Sequence, residues 1–196
     1  MKENFERGVY IENLSEHSIS SAYEGLKLFI MGLQRKKIFQ TIKNIRSSRS
    51  HTIFQIKQYS KVKDRLISKF SLVDLAGSER LSEQEKNSER VEEAKYINKS
   101  LSALGNVIYQ LKNDSNKKNF RKSKHQNFHI PYRDSKLTHI LKDSLGGNSL
   151  THVIITLSPA YEFLQETLSS MKFAHNAKSV KQQLKENVSY FVFISV

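Results

Sequence analysis

Cysteine and tryptophan are absent from this 196-residue chain, proline occurs twice, and acidic residues are scarce. Without cysteine there is no disulfide scaffold and no thiolate zinc site, and a reducing compartment is compatible. No run reaches the ~18 apolar residues that a membrane helix requires. Residues 1–10 mix charges and lack an apolar core, so they do not read as a secretory signal. What the chain does have is a 38% apolar content at a length that suits one domain or a large piece of one, which argues against wholesale disorder. It also has 32 Lys and Arg against 19 Asp and Glu, a formal net charge of +13. Such a balance implies an acidic partner surface, and by itself leaves nucleic acid, anionic membrane and acidic protein open.

The charge is concentrated. Lys112, Lys117, Lys118, Arg121, Lys122, Lys124, Arg133, Lys136 and Lys142 face only Asp114 and Asp134 in their window, a local excess of seven. Residues 112–128 are also rich in Asn and Ser and have no helical apolar period, so they read as an exposed, mobile loop. That loop is either a solvated insertion or an electrostatic tether to an acidic surface.

Apolar spacing supplies the rest of the organisation. Ser21 and Glu24 have the form of a capping box, and Ala22, Leu26, Phe29, Ile30 and Leu33 behind them predict a helix over 21–36. Two β-branched or aromatic segments, 52–59 and 66–75, read as a hairpin. Ala94, Ile97, Leu101, Leu104, Ile108 and Leu111 mark a long amphipathic helix. Asp134 is expected to cap a short helix carrying Leu137, Ile140 and Leu141 that stops at Gly146 and Gly147. Residues 150–157 look like a buried central strand, and Leu164, Leu168, Met171 and Ala174 like a last helix. The alternation argues for a layered α/β sheet.

Two clusters of small and polar residues sit at strand edges, where sheet enzymes place ligand loops. Asn44-Ile45-Arg46-Ser47-Ser48-Arg49-Ser50-His51 offers hydroxyl and guanidinium groups that suit an oxyanion such as phosphate, and hydroxyls that can ligate Mg²⁺. Leu72-Val73-Asp74-Leu75-Ala76-Gly77-Ser78-Glu79 is an apolar strand ending in Asp and a Gly turn. There the carboxylate can hold metal-bound water, and a Gly amide can approach a terminal phosphate. Taken singly, the first is equally a serine-rich loop and the second an ordinary strand end.

Together they resemble the kinesin motor domain. The first cluster matches the family's switch I pattern N-x-x-S-S-R-S-H, and residues 74–79 its switch II, D-L-A-G-S-E. Residues 98–108 (NKSLSALGNVI) look like the switch II helix. Pro131-Tyr132-Arg133-Asp134-Ser135-Lys136-Leu137-Thr138, Asp143-Ser144-Leu145-Gly146-Gly147-Asn148, Glu166-Thr167-Leu168 and Phe173-Ala174 follow in the family's order. The resemblance implies a P-loop NTPase-type α/β fold with a central mixed sheet flanked by helices. It implies microtubule-based, ATP-dependent motor activity with ATP and Mg²⁺ as ligands. Asn44, Ser47, Ser48, Asp74 and Gly77 would lie at the nucleotide, Ser47 and Asp74 on the Mg²⁺ side, the latter through water. Ser48, Arg49, Gly77 and Glu79 would be the catalytic set, with Arg49 and Glu79 closing as an ion pair between the switches. The long helix would face the microtubule. Lys117, Lys118, Arg121, Lys122 and Lys124 would meet acidic tubulin tails, and Arg133 and Lys136 the tubulin body.

The chain departs from the family in one large respect. No G-x-x-x-x-G-K-[ST] phosphate loop occurs anywhere in it. The family places that loop upstream of switch I, so the chain is expected to represent the C-terminal half of a motor domain with its N-terminal strands missing. On that expectation it is poorly stable and inactive as an ATPase alone. The organisation that follows is a partial motor domain over 1–181 with a basic loop insertion at 112–129, then a neck-like remnant and an atypical apolar tail over 182–196. His139 stands where the family usually has a basic residue, which would weaken one tubulin contact when neutral. The competing readings are a kinesin-derived microtubule-binding module without turnover, and a basic nucleic-acid binder. The latter explains the charge but has no recognition motif. The expected partners are therefore microtubules, with no nucleic acid and no membrane span, and the expected location is cytoplasmic, on the cytoskeleton.

Overall fold

In the computed structural model of the chain, the described residues are 1–4, 8–35, 50–60, 66–78, 88–120, 129–181 and 184, with side chains in the longest helix described over 95–115. A short antiparallel pair comes first, β1 (Lys2–Asn4) with β2 (Gly8–Tyr10). Helix α1 (Ala22–Arg35) follows close to its expected bounds. Its N-terminal turn is tied as the capping-box spacing implies, with one difference. The Glu24 amide donates to Ser21 Oγ at 3.3 Å, but the Glu24 carboxylate reaches back past Ser21 to accept from the Ser20 amide at 2.7 Å. The apolar face of α1 is largely exposed. Its ring contact is Phe29 edge-on to Phe54, centroids 5.1 Å apart.

Strands β3 (Thr52–Tyr59) and β4 (Leu66–Asp74) form the expected antiparallel hairpin, in a register that sets Thr52 opposite Asp74. Helix α2 (Ser88–Phe120) is longer than its apolar period at both ends. The loop reading of residues 112–128 is corrected here, because 112–120 are helical. Packing overrides the weak Asn and Ser propensities. Lys112 Nζ donates to Asn176 Oδ1 at 2.9 Å, Ser115 Oγ donates to the Leu111 carbonyl at 2.8 Å, and the same Ser115 Oγ accepts from the Lys181 amide. The remainder of that stretch, 121–128, lies outside the described residues.

A 3-10 turn at Tyr132–Asp134 leads into α3 (Lys136–Ile140) and α4 (Lys142–Gly146). The N-cap of α3 is Ser135, not Asp134 as the sequence led us to expect. Ser135 Oγ accepts from the Thr138 amide at 3.0 Å, and Thr138 Oγ1 accepts from the Ser135 amide at 3.2 Å. A carboxylate one residue earlier is out of reach of those amides. The helical run does stop at Gly146 and Gly147. A Cβ at Gly146 would lie 2.1 Å from the Tyr132 hydroxyl and 2.9 Å from Leu111 Cδ2, so the chain can turn here only because this residue has no side chain.

Residues 150–157 are not a strand. They pair with no strand among the described residues, and Leu150 and Ile154 are 70% and 92% exposed. The buried-strand expectation fails because a β segment satisfies its amides and carbonyls only on a neighbour. Apolar content supplies the wish for burial but not the neighbour. Beyond it, Thr167 Oγ1 donates to the Ser158 carbonyl at 3.0 Å, and helix α5 (Leu164–Lys178) begins.

The core lies between α2 and α3. Leu104 and Ile108 meet Leu137 and Leu141, while Ile53 of β3, Leu75 after β4, and Phe173 and Ala177 of α5 pack around them. Helices thus cover one face of the hairpin end, which is the layered α/β arrangement in the described residues. Gly8, at φ 65°, sits against Asp143 of α4, and Asp143 in turn accepts from Lys69 of β4 at 3.1 Å.

Candidate functional site

An antiparallel hairpin returns the chain to where it began. Because Thr52 opens β3 and Asp74 closes β4, residues 50–51 and residues 75–78 leave the sheet side by side at one end. Ser50 and His51, the described end of the first polar cluster, are therefore neighbours in space of the second cluster, more than twenty residues on in the sequence. Asp74 is exposed at the tip of β4, Gly77 is half-buried in the turn behind it, and Ala76 between them is buried.

Beside the packing of Leu75, the His51 side chain joins this turn to the helical layer through hydrogen bonds. The Ala76 amide donates to His51 Nδ1 at 3.0 Å, and His51 Nε2 lies 2.7 Å from Ser100 Oγ on α2. Ser100 Oγ donates to the Ile97 carbonyl at 2.7 Å. Since Nδ1 accepts, the ring proton sits on Nε2 and is given to Ser100, so all three bonds run in one direction. His51 was visible in the sequence only as the last letter of a motif. Its bridging role depends on the hairpin register, which the sequence does not display.

Of the expected nucleotide-side residues, Asp74 and Gly77 are placed at this hairpin end. Asn44, Ser47, Ser48, Arg49 and Glu79 lie outside the described residues. Among the described residues no group of three or more His, Asp or Glu side chains gathers into a metal site. A single strand-end carboxylate nevertheless fits Mg²⁺, which keeps most of its waters and takes only one or two protein carboxylates when phosphate is present.

The long helix presents a second surface. Its buried positions, Leu104, Val107, Ile108 and Leu111, recur at three and four residues. So do the exposed ones on another face, Lys95, Lys99, Ser102, Asn106 and Tyr109. The expected basic contacts divide. Lys117 and Lys118 fall in the last turns of α2, where only the backbone is described, and Arg121, Lys122 and Lys124 lie outside the described residues. Arg133 and Lys136 are exposed at the start of α3.

Arg133 has an internal partner all the same. Its Nη2 donates to Glu3 Oε2 at 3.3 Å, Lys142 Nζ bonds the other Glu3 oxygen, and buried His139 Nε2 lies 3.6 Å away, beyond hydrogen-bond reach. Chiefly the Lys142 ammonium, then Arg133 and His139, hold the Glu3 carboxyl below its usual range against the opposing cost of partial burial. His139, expected at the tubulin contact, turns instead toward this carboxylate. Tyr132, whose hydroxyl crosses Gly146, has its phenol pushed up by burial and secondarily by Asp114 and Asp143. The tyrosine of one expected motif and the glycine of the next are thus a packing pair.

No helix among the described residues is long and apolar enough to cross a membrane. The kinesin motor domain family matches residues 1–180. The chain is 46% identical over 178 residues to the kinesin-like protein CIN8 of Saccharomyces cerevisiae, which covers 90% of this chain and 17% of that protein. It is 44% identical over 186 residues to the kinesin-like protein KIN-12G of Oryza sativa subsp. japonica, 92% of this chain and 14% of that one. Among solved structures it is similar to a KIF14 dimer with AMP-PNP in complex with a microtubule. The TM-score is 0.80 at 36% identity, covering 95% of this chain and 51% of the KIF14 chain. The chain therefore spans about half the length of that solved relative and under a fifth of the two curated ones.

Proposed function

The chain belongs to the kinesin motor domain family, and from that premise we propose that it is the microtubule-facing portion of an ATP-driven motor. The observation that carries the reading is the hydrogen-bonded path from the Gly77 turn through His51 to α2. It connects the end of the hairpin where a terminal phosphate would be sensed to the helix whose exposed stripe would meet tubulin. On this reading Asp74 holds Mg²⁺ through water, and the Gly77 amide meets the γ-phosphate. Asn44, Ser47 and Ser48 complete the nucleotide side, Ser47 toward the metal, and Arg49 pairs with Glu79 as the two switches close. Bound Mg²⁺ would neutralise charge on the phosphates; the chain's own groups orient and sense them.

Lys117, Lys118, Arg121, Lys122 and Lys124 act as an electrostatic tether for the acidic tails of tubulin, with Arg133 and Lys136 as contacts to the tubulin body. The location that follows is the cytoskeleton, on cytoplasmic or spindle microtubules. For the isolated 196-residue chain, a second reading, a microtubule-binding module without turnover, is favoured by one specific feature: this sequence contains no phosphate-binding loop.

Co-sedimentation with microtubules and a microtubule-stimulated ATPase assay on the same purified chain test both. We expect binding that weakens as salt rises, because five cations on one acidic tail raise the encounter rate about ten-fold or more only while screening is weak. We expect no ATP turnover by this chain alone. Turnover that disappears in Gly77→Ala would overturn the second expectation, and equal landing rates of the wild type and a five-fold Ala variant at low salt would remove the tether.

A further inference from the structure

The Gly77 turn is not free to move by itself. Ala76 is 5% exposed, and its amide is committed to His51 Nδ1 at 3.0 Å. The opposite edge of the same ring is committed to Ser100 Oγ at 2.7 Å, one turn along α2 from Ile97, whose carbonyl takes the hydroxyl proton. A flat, rigid imidazole with one acceptor edge and one donor edge cannot serve both partners in any other tautomer. The peptide plane of Gly77 follows Ala76 directly, so the direction of the Gly77 amide is set by where Ala76 is held.

We propose that His51 is a positioning residue that locks the Gly77 turn to helix α2. Through it, the turn and the helix shift together or the Ala76 bond breaks. The ring is the joint and Ser100 is its anchor on the helix. Hydrogen bonds aligned in one direction polarise one another, so removing the anchor weakens the bond at the far edge of the ring. This deepens the functional reading above and rests on it in one respect only, that Gly77 faces a phosphate and α2 a microtubule. The lock itself is a property of this chain and is measurable without either ligand.

The test uses the whole chain, without nucleotide, as wild type, His51→Ala, Ser100→Ala and Ser100→Thr. Amide exchange at Ala76 is followed residue by residue, and the protonation of the two ring nitrogens of His51 is read by nitrogen NMR. We expect Ala76 exchange to rise about ten-fold in His51→Ala and several-fold in Ser100→Ala, although Ser100 does not bond Ala76. Ser100→Thr, which keeps the hydroxyl, should restore the wild-type rate. The wild-type ring should carry its proton on Nε2. Ser100→Ala guards against a folding failure, because alanine favours the helix.

A proton on Nδ1, or Ala76 exchange unmoved in Ser100→Ala with helix content intact, overturns the proposal. So does a loss in Ser100→Ala that Ser100→Thr does not repair. In a second arm, intact microtubules are added. We expect them to slow Ala76 exchange in the wild type and not in Ser100→Ala. If the wild type fails to co-sediment, the functional reading falls and the first arm still decides the lock. If both proteins bind and both show the same slowing, binding is real and the lock is not what transmits it.

Discussion

Two apolar stretches of equal length have opposite fates in this chain. Residues 104–111 of α2 bury Leu104, Val107, Ile108 and Leu111 against α3 and α5, while residues 150–157 leave Leu150, Val153 and Ile154 in water. Composition does not separate them. What separates them is where their backbone bonds go. A helix closes its hydrogen bonds within itself and then needs only one apolar face to be covered. A strand needs another strand before its side chains can be placed at all. Helix α1 makes the same point from the other side, since it holds its backbone shape with its apolar face mostly uncovered.

The contrast breaks most sharply with one pair of substitutions. Ile108→Ala removes a side chain that is 4% exposed in the α2–α3 cluster, and should cost about 2–5 kcal/mol by the usual transfer and cavity terms. Ile154→Ala removes one that is 92% exposed, and should stay within about 0.5 kcal/mol. Urea unfolding of both variants gives the difference directly. Equal losses would mean that residues 150–157 are covered in solution and that the contrast does not exist.

A smaller effect sharpens the buried side of the comparison. Gly146→Ala pushes a methyl into the Tyr132 hydroxyl and Leu111, and should cost about 1–3 kcal/mol as overpacking. The nearest obstacle is one oxygen atom. Tyr132→Phe removes it, so the double variant should recover part of the loss, and the two changes should not add. A double-mutant cycle on thermal or urea midpoints checks this. Strict additivity would mean that the clash is relieved by Leu111 or by the backbone instead.

What could be read from the residues follows the same division. The stripe of α2 and the hairpin were legible, because their periods of about 3.6 and 2 are set by local geometry. The end of α2 was not. Asn113, Ser115 and Asn116 look like a loop until Asn176 and Lys181 are brought beside them, and the helix runs on to Phe120. The cap of α3 was missed by one residue because Asp134 and Ser135 are both good caps, and only the backbone angles at Ser135 choose between them. At the candidate site, Asp74 and Gly77 announced themselves through the chemistry they could perform. His51 did not, since a histidine shows its partners only after the register puts Thr52 across from Asp74.

The smallest effect concerns the contact between β1 and the α3–α4 segment, which polar groups rather than apolar burial hold. Glu3 takes Lys142 and Arg133, and these two cations depress its carboxyl. A carboxyl depressed in the native state contributes stability at pH values above its unfolded value, about 4.3, and loses that contribution as pH falls through its native value. The pair is partly solvated, so its worth is on the order of 1 kcal/mol or less and fades with salt. Other carboxylates titrate in the same range, so the wild-type profile alone does not isolate Glu3. The comparison of wild type with Glu3→Gln does. The variant should be less stable by that small amount near pH 7, and the two curves should converge only as pH falls through the depressed native value, where the wild-type carboxylate is itself protonated. High salt should close the gap at every pH. Parallel curves that never converge would show that Glu3 acts through packing, and that electrostatics does not hold this end of the molecule either.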